Sequence, residues 1–282
     1  MAIRTVGPTS TFPTIAAAML AANAADTIVL EAGYSNETAT VTHNGMTVSG
    51  QASSTGIILH LGTGIATFAL GGSAPITVDD APDGNSIVGN DGDNTIIVTN
   101  GVDAVTGGLG VDLLRVDYHT ATGAITGNST SNFTEAGGSG RAVTITDGTF
   151  ENFTVLTGSG ADTLTVGDGD NIIKAGNGAN TITAGQGTNR IVGGDDADTI
   201  TAGDGGNAID GGDGANTITS GAGDDRINSG VGADTIVAGG GTDYITVHGG
   251  ADTIDSGAGS DRLVVDYSAL STDVTGGVTS GN

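Results

Sequence analysis

From Thr157 to Val264 an apolar residue returns every nine positions: Leu164, Ile173, Ile182, Ile191, Ile200, Ile209, Ile218, Ile227, Ile236, Ile245, Ile254 and Leu263. Its neighbours at the seventh and ninth places are mostly polar or small. Side chains alternate across a strand, so this pattern predicts a short strand in each nonad with one Leu or Ile facing inward. The Gly-rich places one to six between these strands predict turns, because glycine readily adopts the positive φ angles of tight turns. Twelve unbroken copies predict a solenoid in which each repeat covers the apolar residue of the next.

A shorter block in the same register runs from Asp80 to Arg115, with GGLGVDLLR at Gly107 to Arg115 its cleanest copy. Both blocks end alike, as DLLRVDYHTATGAITG from Asp112 and DRLVVDYSALSTDVTG from Asp261. The pattern divides the chain into a start at 1–79, a short roll of four nonads at 80–115, a spacer with strands at 116–156, a roll of twelve nonads at 157–264, and the beginning of a second spacer at 265–282. The chain is expected to be part of a longer repeat protein. Within the start, FPTIAAAMLAANAADTIVLEAGYSNETATVTHNGMTVSG predicts a short helix with Ile15, Met19 and Leu20 on one side. Strands such as Thr27 to Leu30 and Ala39 to Thr42 follow.

Composition narrows the chemistry. The 282 residues include 52 Gly and only 3% aromatics, so the core must be built from regularly stacked small side chains. Net charge is -25, from 32 acidic and 7 basic residues. The acids are nearly all Asp, which suits turns and oxygen ligation. This field repels phosphates, which argues against nucleic acid or an anionic membrane as partner and favours a multivalent cation. There is no Cys, which rules out disulfides and thiolate metal sites. No stretch approaches the ~18 apolar residues of a membrane span. The start, MAIRTVGPTS, has no basic segment followed by a long apolar one.

The nonads SGAGDDRIN, SGVGADTIV and AGGGTDYIT resemble the G-G-x-G-x-D-x-U-x signature of the RTX family of calcium-dependent β-roll proteins. The resemblance covers roughly half the chain. It implies an all-β, right-handed parallel β-helix or β-roll solenoid with two nonads per coil, calcium ions held between turns of neighbouring coils, and type I secretion to the bacterial surface or exterior. The first 70 or so residues resemble the start of pectate-lyase-like β-helices, in which a short N-terminal helix caps the open core.

With two nonads per coil, residues eighteen apart stack at the strand spacing of about 4.8 Å. One row of sixth places is Asp162, Asn180, Asp198, Asn216, Asp234, Asp252, and the other is Asn171, Asn189, Asn207, Asp225, Asp243, Asp261. Carboxylates stacked this closely repel unless a cation lies between them, whereas Asn amides can hydrogen-bond along the row. Calcium accepts six to eight oxygens, including main-chain carbonyls. The strongest candidate ligands are therefore Asp225, Asp243 and Asp261 on one row with Asp234 and Asp252 on the other. Carbonyls of Gly221, Gly223, Gly230, Gly232, Gly239 and Gly241 complete the set, and Asp198, Asp162 and Asp112 mark further sites. Turns with Asn at the sixth place usually carry a polar third place, namely Asp168, Asn177, Gln186, Asp204 and Asp213, and are expected to depend less on metal. Asx-turn formation without metal is the alternative role for these Asp residues.

Two outward faces remain. Odd nonads present Thr163/Thr165, Thr181/Thr183, Thr199/Thr201 and Thr217/Thr219, an array that resembles the T-x-T face of ice-binding β-helices and that also reflects the strand preference of Thr. Even nonads carry Arg190, Arg226 and Arg262 with Lys174 and Tyr244, which either balance nearby carboxylates or meet an acidic glycan or a neighbouring chain. His43, His60, His119 and His248 show no metal-ligand spacing. No Ser/His/Asp set, G-x-S-x-G motif or phosphate loop is present. The sequence thus predicts a non-enzymatic, calcium-binding extracellular structural module for surface, matrix, adhesion or filament formation, with folding driven by calcium. The alternatives are an ice-binding protein and a non-catalytic module of a polysaccharide epimerase or lyase.

Overall fold

The computed structural model describes residues 1–137, 140–146 and 150–268. Residues 269–282, most of the expected second spacer, lie outside it. Among the described residues the chain winds as a parallel β-solenoid with two long faces, a 15-stranded sheet and a 12-stranded sheet, joined coil by coil through turns. Within the twelve-nonad roll each coil contributes one strand to each sheet. In the twelve-nonad roll, strands eighteen residues apart pair in parallel, as in Leu164 with Ile182 and Ile173 with Ile191.

The register puts every eighth-place residue in one of two apolar columns. Those from Leu164 to Ile245 are buried, Ile254 is partly buried, and Leu263 is 43% exposed. Each fully buried Ile contributes about 1.5–3 kcal/mol. The first place of each nonad, expected to belong to a turn, is instead a second inward position: Val166, Ala175, Ala184, Ala202, Ser220 and Ala238 are buried. The strand alternation therefore begins earlier than the Gly-rich spelling suggests. Places six, eight and one are in phase and all point inward.

Hydrogen bonding runs without interruption from the N-terminal coils through both rolls, as in Thr77 with Thr95 and Thr154 with Ile172. The spacer is an irregular coil. It adds three strands to the larger sheet, Ile125–Asn128, Asn132–Glu135 and Ala142–Ile145, with antiparallel pairing among them. It adds only one, Asn152–Leu156, to the other.

The expected helix is present at Ile15–Ala21 and lies over the first coils. The Thr14 side chain accepts the Ala17 N–H at 3.1 Å. The Glu37 carboxylate of the strand Ser35–Val41 accepts the Ile15 and Ala16 N–H groups at 2.8 and 3.0 Å. Its buried residues are Ile15, Ala18 and Met19. Leu20, placed on the buried side by the sequence, is 90% exposed, because it is rotated by about 100° from Met19 on a helix of 3.6 residues per turn. The strand Thr27–Leu30 falls where expected, and the next is Ser35–Val41 rather than Ala39 to Thr42.

Candidate metal centre

The inward phase of the sixth place decides the chemistry of the turns. Asp162, Asn171, Asn180, Asn189, Asp198, Asn207, Asn216, Asp225, Asp234 and Asp243 are all buried, at 2% exposure or less. In most of them Oδ1 accepts the backbone N–H of the residue eighteen positions earlier. Examples are Asn207 N–H to Asp225 at 2.7 Å, Asp225 N–H to Asp243 at 2.9 Å and Asp243 N–H to Asp261 at 3.1 Å. The other row does the same, with Asn216 N–H to Asp234 at 2.8 Å and Asp234 N–H to Asp252 at 3.0 Å. This contact is shared by Asn and Asp.

The second side-chain atom separates them. The amide nitrogen of Asn207 donates to the carbonyls of Gly203 and Gly205 at 3.0 and 2.8 Å and to Asp225 Oδ1 at 3.1 Å. Asn189 Nδ2 does likewise toward Gly185, Gly187 and Asn207 Oδ1 at 3.0, 3.2 and 3.1 Å. Asn171 Nδ2 reaches Asn189 Oδ1 at 2.9 Å, so an amide ladder runs from Asn171 to Asp225. The second- and fourth-place carbonyls and the next sixth-place oxygen thus form a nest of acceptors, and an amide suits it.

An ionised carboxylate brings a third kind of acceptor to the same nest. Oδ2 of Asp162, Asp198, Asp225, Asp234 and Asp243 is buried without a hydrogen-bond partner, and so is Oδ2 of Asp112 and Asp103 in the first roll. Such an atom costs about 1–3 kcal/mol, more when charged. Burial pushes the carboxyls of Asp225, Asp234 and Asp243 up from the usual carboxylate range, and the charges of Asp243, Asp252 and Asp261 respectively push the same way. Burial likewise raises Asp198 and Asp112 to about 6 and Asp103 to about 7.

A divalent cation that prefers oxygen fits this donor set. Gly221, Gly223, Gly230, Gly232, Gly239 and Gly241 stand four and two residues before Asp225, Asp234 and Asp243, the places whose carbonyls surround the Asn amides. Glycine is required there by contact as well as by conformation. Gly230 has φ 75° and Gly239 has φ 95°, and a Cβ on either would lie 1.9 or 2.0 Å from the carbonyl oxygen of Gly212 or Gly221 in the preceding coil. Among the described residues no three acidic or imidazole side chains converge. The oxygens on offer at each turn are instead carboxylates from successive coils together with main-chain carbonyls.

Two further groups belong to the repeats. The third-place Asp168 and Asp204 do not face the nest; each accepts a turn N–H of the next coil, from Gln186 at 2.8 Å and Ala222 at 2.9 Å. Asp103 escaped notice because its nonad, VTNGVDAVT, opens with Val98 and Thr99 in place of the two glycines of the signature, although the register of Asp80 to Arg115 makes it a sixth place.

The shared VDY endings also have a role. Tyr267 O–H donates to Asp252 Oδ2 at 2.9 Å, reaching back fifteen residues. Tyr118 stands fifteen residues after Asp103, is fully buried, and has its hydroxyl unpartnered; burial foremost, then the charges of Asp103 and Asp80, raise that hydroxyl's pKa. The recurrence of the motif after each roll was the available signal.

A parallel β-solenoid whose turns aim buried carboxylates into carbonyl nests is a calcium-roll architecture. A family model described as RTX calcium-binding nonapeptide repeat (4 copies) matches residues 82–114, 156–191, 183–218, 192–227, 201–236 and 228–263, together half of the chain. The chain belongs to this family of calcium-binding β-roll repeats. No curated protein and no solved structure matches it.

Proposed function

We propose that the protein is a non-catalytic, calcium-stabilised structural module that works outside the cell, at a bacterial surface or in a matrix, after type I secretion, and that calcium completes its folding. The observation that carries this reading is the unpartnered, buried Oδ2 of Asp225, Asp234 and Asp243 in the place where an Asn amide makes up to three hydrogen bonds. Asp252 and Asp261 extend the two carboxylate rows, and Asp112, Asp162 and Asp198 supply isolated positions. Bound calcium supplies positive charge and six to eight coordination positions for oxygen. The chain's own work is to bury the carboxylates, hold the glycine carbonyls in register and keep the apolar stack closed. Because these sites form only when coils stack, ligand binding is coupled to folding. Adhesion to a cell-surface glycan and assembly with further copies are the roles this module would serve.

The deciding experiment is a calcium titration of metal-free protein followed by circular dichroism. A gain of β signal with calcium that magnesium fails to reproduce supports the reading. A spectrum already complete in chelator, and unchanged by calcium, refutes calcium-driven folding.

One observation favours a second reading. The Thr array does not stop at Thr163: the spacer strands continue it, so that Thr134, Thr126, Thr163, Thr181, Thr199, Thr217, Thr235 and Thr253 form one outward column in register. A flat row of hydroxyls and methyls at about 4.8 Å spacing could order water. Thermal hysteresis of the folded protein tests for ice binding, and its absence eliminates it. Lack of turnover on uronate polymers tests the non-catalytic assignment in the same way.

A further inference from the structure

The chain has seven Lys and Arg residues. Three are neutralised locally: Arg4 by Asp26 at 3.0 Å, Arg115 by Asp117 at 2.6 Å and Arg141 by Glu135 at 2.9 Å. The other four, Lys174, Arg190, Arg226 and Arg262, form no ion pair among the described residues. All four are exposed and all stand on the outer face of the 12-stranded sheet. Contact ion pairs therefore do not account for these four. In a chain of net charge -25, every cation without a described ion-pair partner lies on one face of one roll.

Register makes the face regular. Arg190, Ala208, Arg226, Tyr244 and Arg262 occupy one straight column, with Lys174 in the adjacent column. Successive arginines are two strands apart, or about 9.6 Å at the usual strand spacing. Tyr244 lies between two of them, with the Arg226 and Arg262 guanidinium carbons 5.0 and 5.2 Å from its ring centroid. Stacking of this kind restrains a guanidinium without consuming its hydrogen-bond donors. Between Arg190 and Arg226 the small Ala208 leaves a groove of ≈ 420 Å³. The one carboxylate in that groove, Asp210, already accepts the Asn228 amide at 2.9 Å.

Resting on the extracellular reading above, we infer that this column is a binding surface for a linear carboxylated polysaccharide lying along the solenoid axis, with successive arginines engaging separate carboxylates. Charge complementarity selects a polyanion, and the forked guanidinium geometry suits carboxylate groups. The spacing selects a sparse one. Double-stranded nucleic acid carries a charge about every 1.7 Å and would bring most of its phosphates against the surrounding Asp-rich turns. A uronate polymer separates its carboxylates by whole sugar rings, and its uncharged ring faces fit the gap at Ala208.

The test uses the full chain at fixed free calcium and measures binding to immobilised polygalacturonate, with a neutral galactan as control. Wild type is expected to bind the uronate polymer and not the neutral one, weakening as salt rises. The triple variant R190Q/R226Q/R262Q should lose about tenfold or more in affinity, and R226Q alone a few-fold, as expected for exposed charge pairs. Tyr244→Phe should keep binding, because the stack survives. Calcium-dependent circular dichroism of each variant is recorded alongside, so that failure of binding in a calcium-folded protein overturns the surface without touching the calcium reading. Equal binding by wild type and the triple variant would also overturn it, since calcium bridging between polymer and Asp would then explain retention. A shift of wild type to a dimer that the triple variant abolishes, without polymer binding, would assign the face to a second copy instead.

Discussion

The two halves of the long roll share a backbone and differ in one atom per turn. Between Asn171 and Asn216 most nests hold an amide, which hydrogen-bonds up to three surrounding oxygens. From Asp225 onward every nest holds a carboxylate, and Oδ2 of Asp225, Asp234 and Asp243 is unpartnered. The same fold thus satisfies most of its nests internally in one half and leaves buried carboxylate oxygens unpartnered in the other. Apolar stacking is similar in both as far as Ile245, since Ile182 and Ile236 are equally buried within 1%, and only Ile254 and Leu263 at the end are more exposed. The difference between the halves as far as Ile245 therefore resides in the sixth place rather than in the core.

The strongest way to break the comparison is to remove calcium. Each site held at a hundred times its dissociation constant stabilises the fold by about 2.7 kcal/mol. With several sites in adjoining coils, chelation should unfold the region from Arg226 to Asp266 while the strands from Thr163 to Thr219 stay protected. Hydrogen exchange with mass spectrometry reads both regions at once. Uniform loss of protection, or none, would show that the halves are not distinct.

Acid should partly replace the metal. In the metal-free protein Asp80 and Asp103 have pKa values raised to about 7, and Asp112 and Asp198 to about 6, burial being the largest cause in each case. The native state therefore holds more protons than the unfolded state between about pH 4 and pH 7, and stability falls as pH rises through that window. Thermal melts in chelator should give a higher Tm at pH 5 than at pH 8. With calcium present the order should weaken or invert, because protons compete for the same oxygens.

Exchanging the sixth-place residue should move the boundary between the halves. Asn207→Asp removes three donated hydrogen bonds from the amide ladder and should destabilise metal-free protein by about 1–3 kcal/mol. It should add calcium capacity, measurable by titration calorimetry. Asp234→Asn should do the reverse, stabilising the chelated protein by about 0.5–1.5 kcal/mol while lowering calcium stoichiometry. Opposite signs in chelator and in calcium are the distinguishing result.

Much of this was legible in the sequence, and what was hidden depended on contacts between coils. The nine-residue return of Leu and Ile fixes the apolar columns, because strand alternation leaves one choice of face. Applying that alternation two residues back from Ile227 would have placed Asp225 inside, yet the intervening Gly-rich spelling reads as turn. The role of the outer Asp168 and Asp204 was hidden because their partners, the Gln186 and Ala222 N–H groups, lie eighteen residues away. Leu20 failed for a local reason: seven helical residues are too few to define a face by spacing alone. The arginine column was spelled out by its period of thirty-six, but its lack of contact ion pairs among the described residues required three-dimensional placement.

The smallest effect tests how each roll ends. Tyr267 and Tyr118 follow Asp252 and Asp103 at the same distance of fifteen residues, but only Tyr267 makes the hydroxyl-to-carboxylate bond. Tyr267→Phe should cost about 0.5–1.5 kcal/mol in chelator, read by urea denaturation. Tyr118→Phe removes a buried hydroxyl that has no partner and should be close to neutral. Equal costs would mean that Tyr118 reaches Asp103 in solution as Tyr267 reaches Asp252. The two VDY endings would then be one device, in which a tyrosine donates to the second oxygen of the last sixth-place carboxylate in its row.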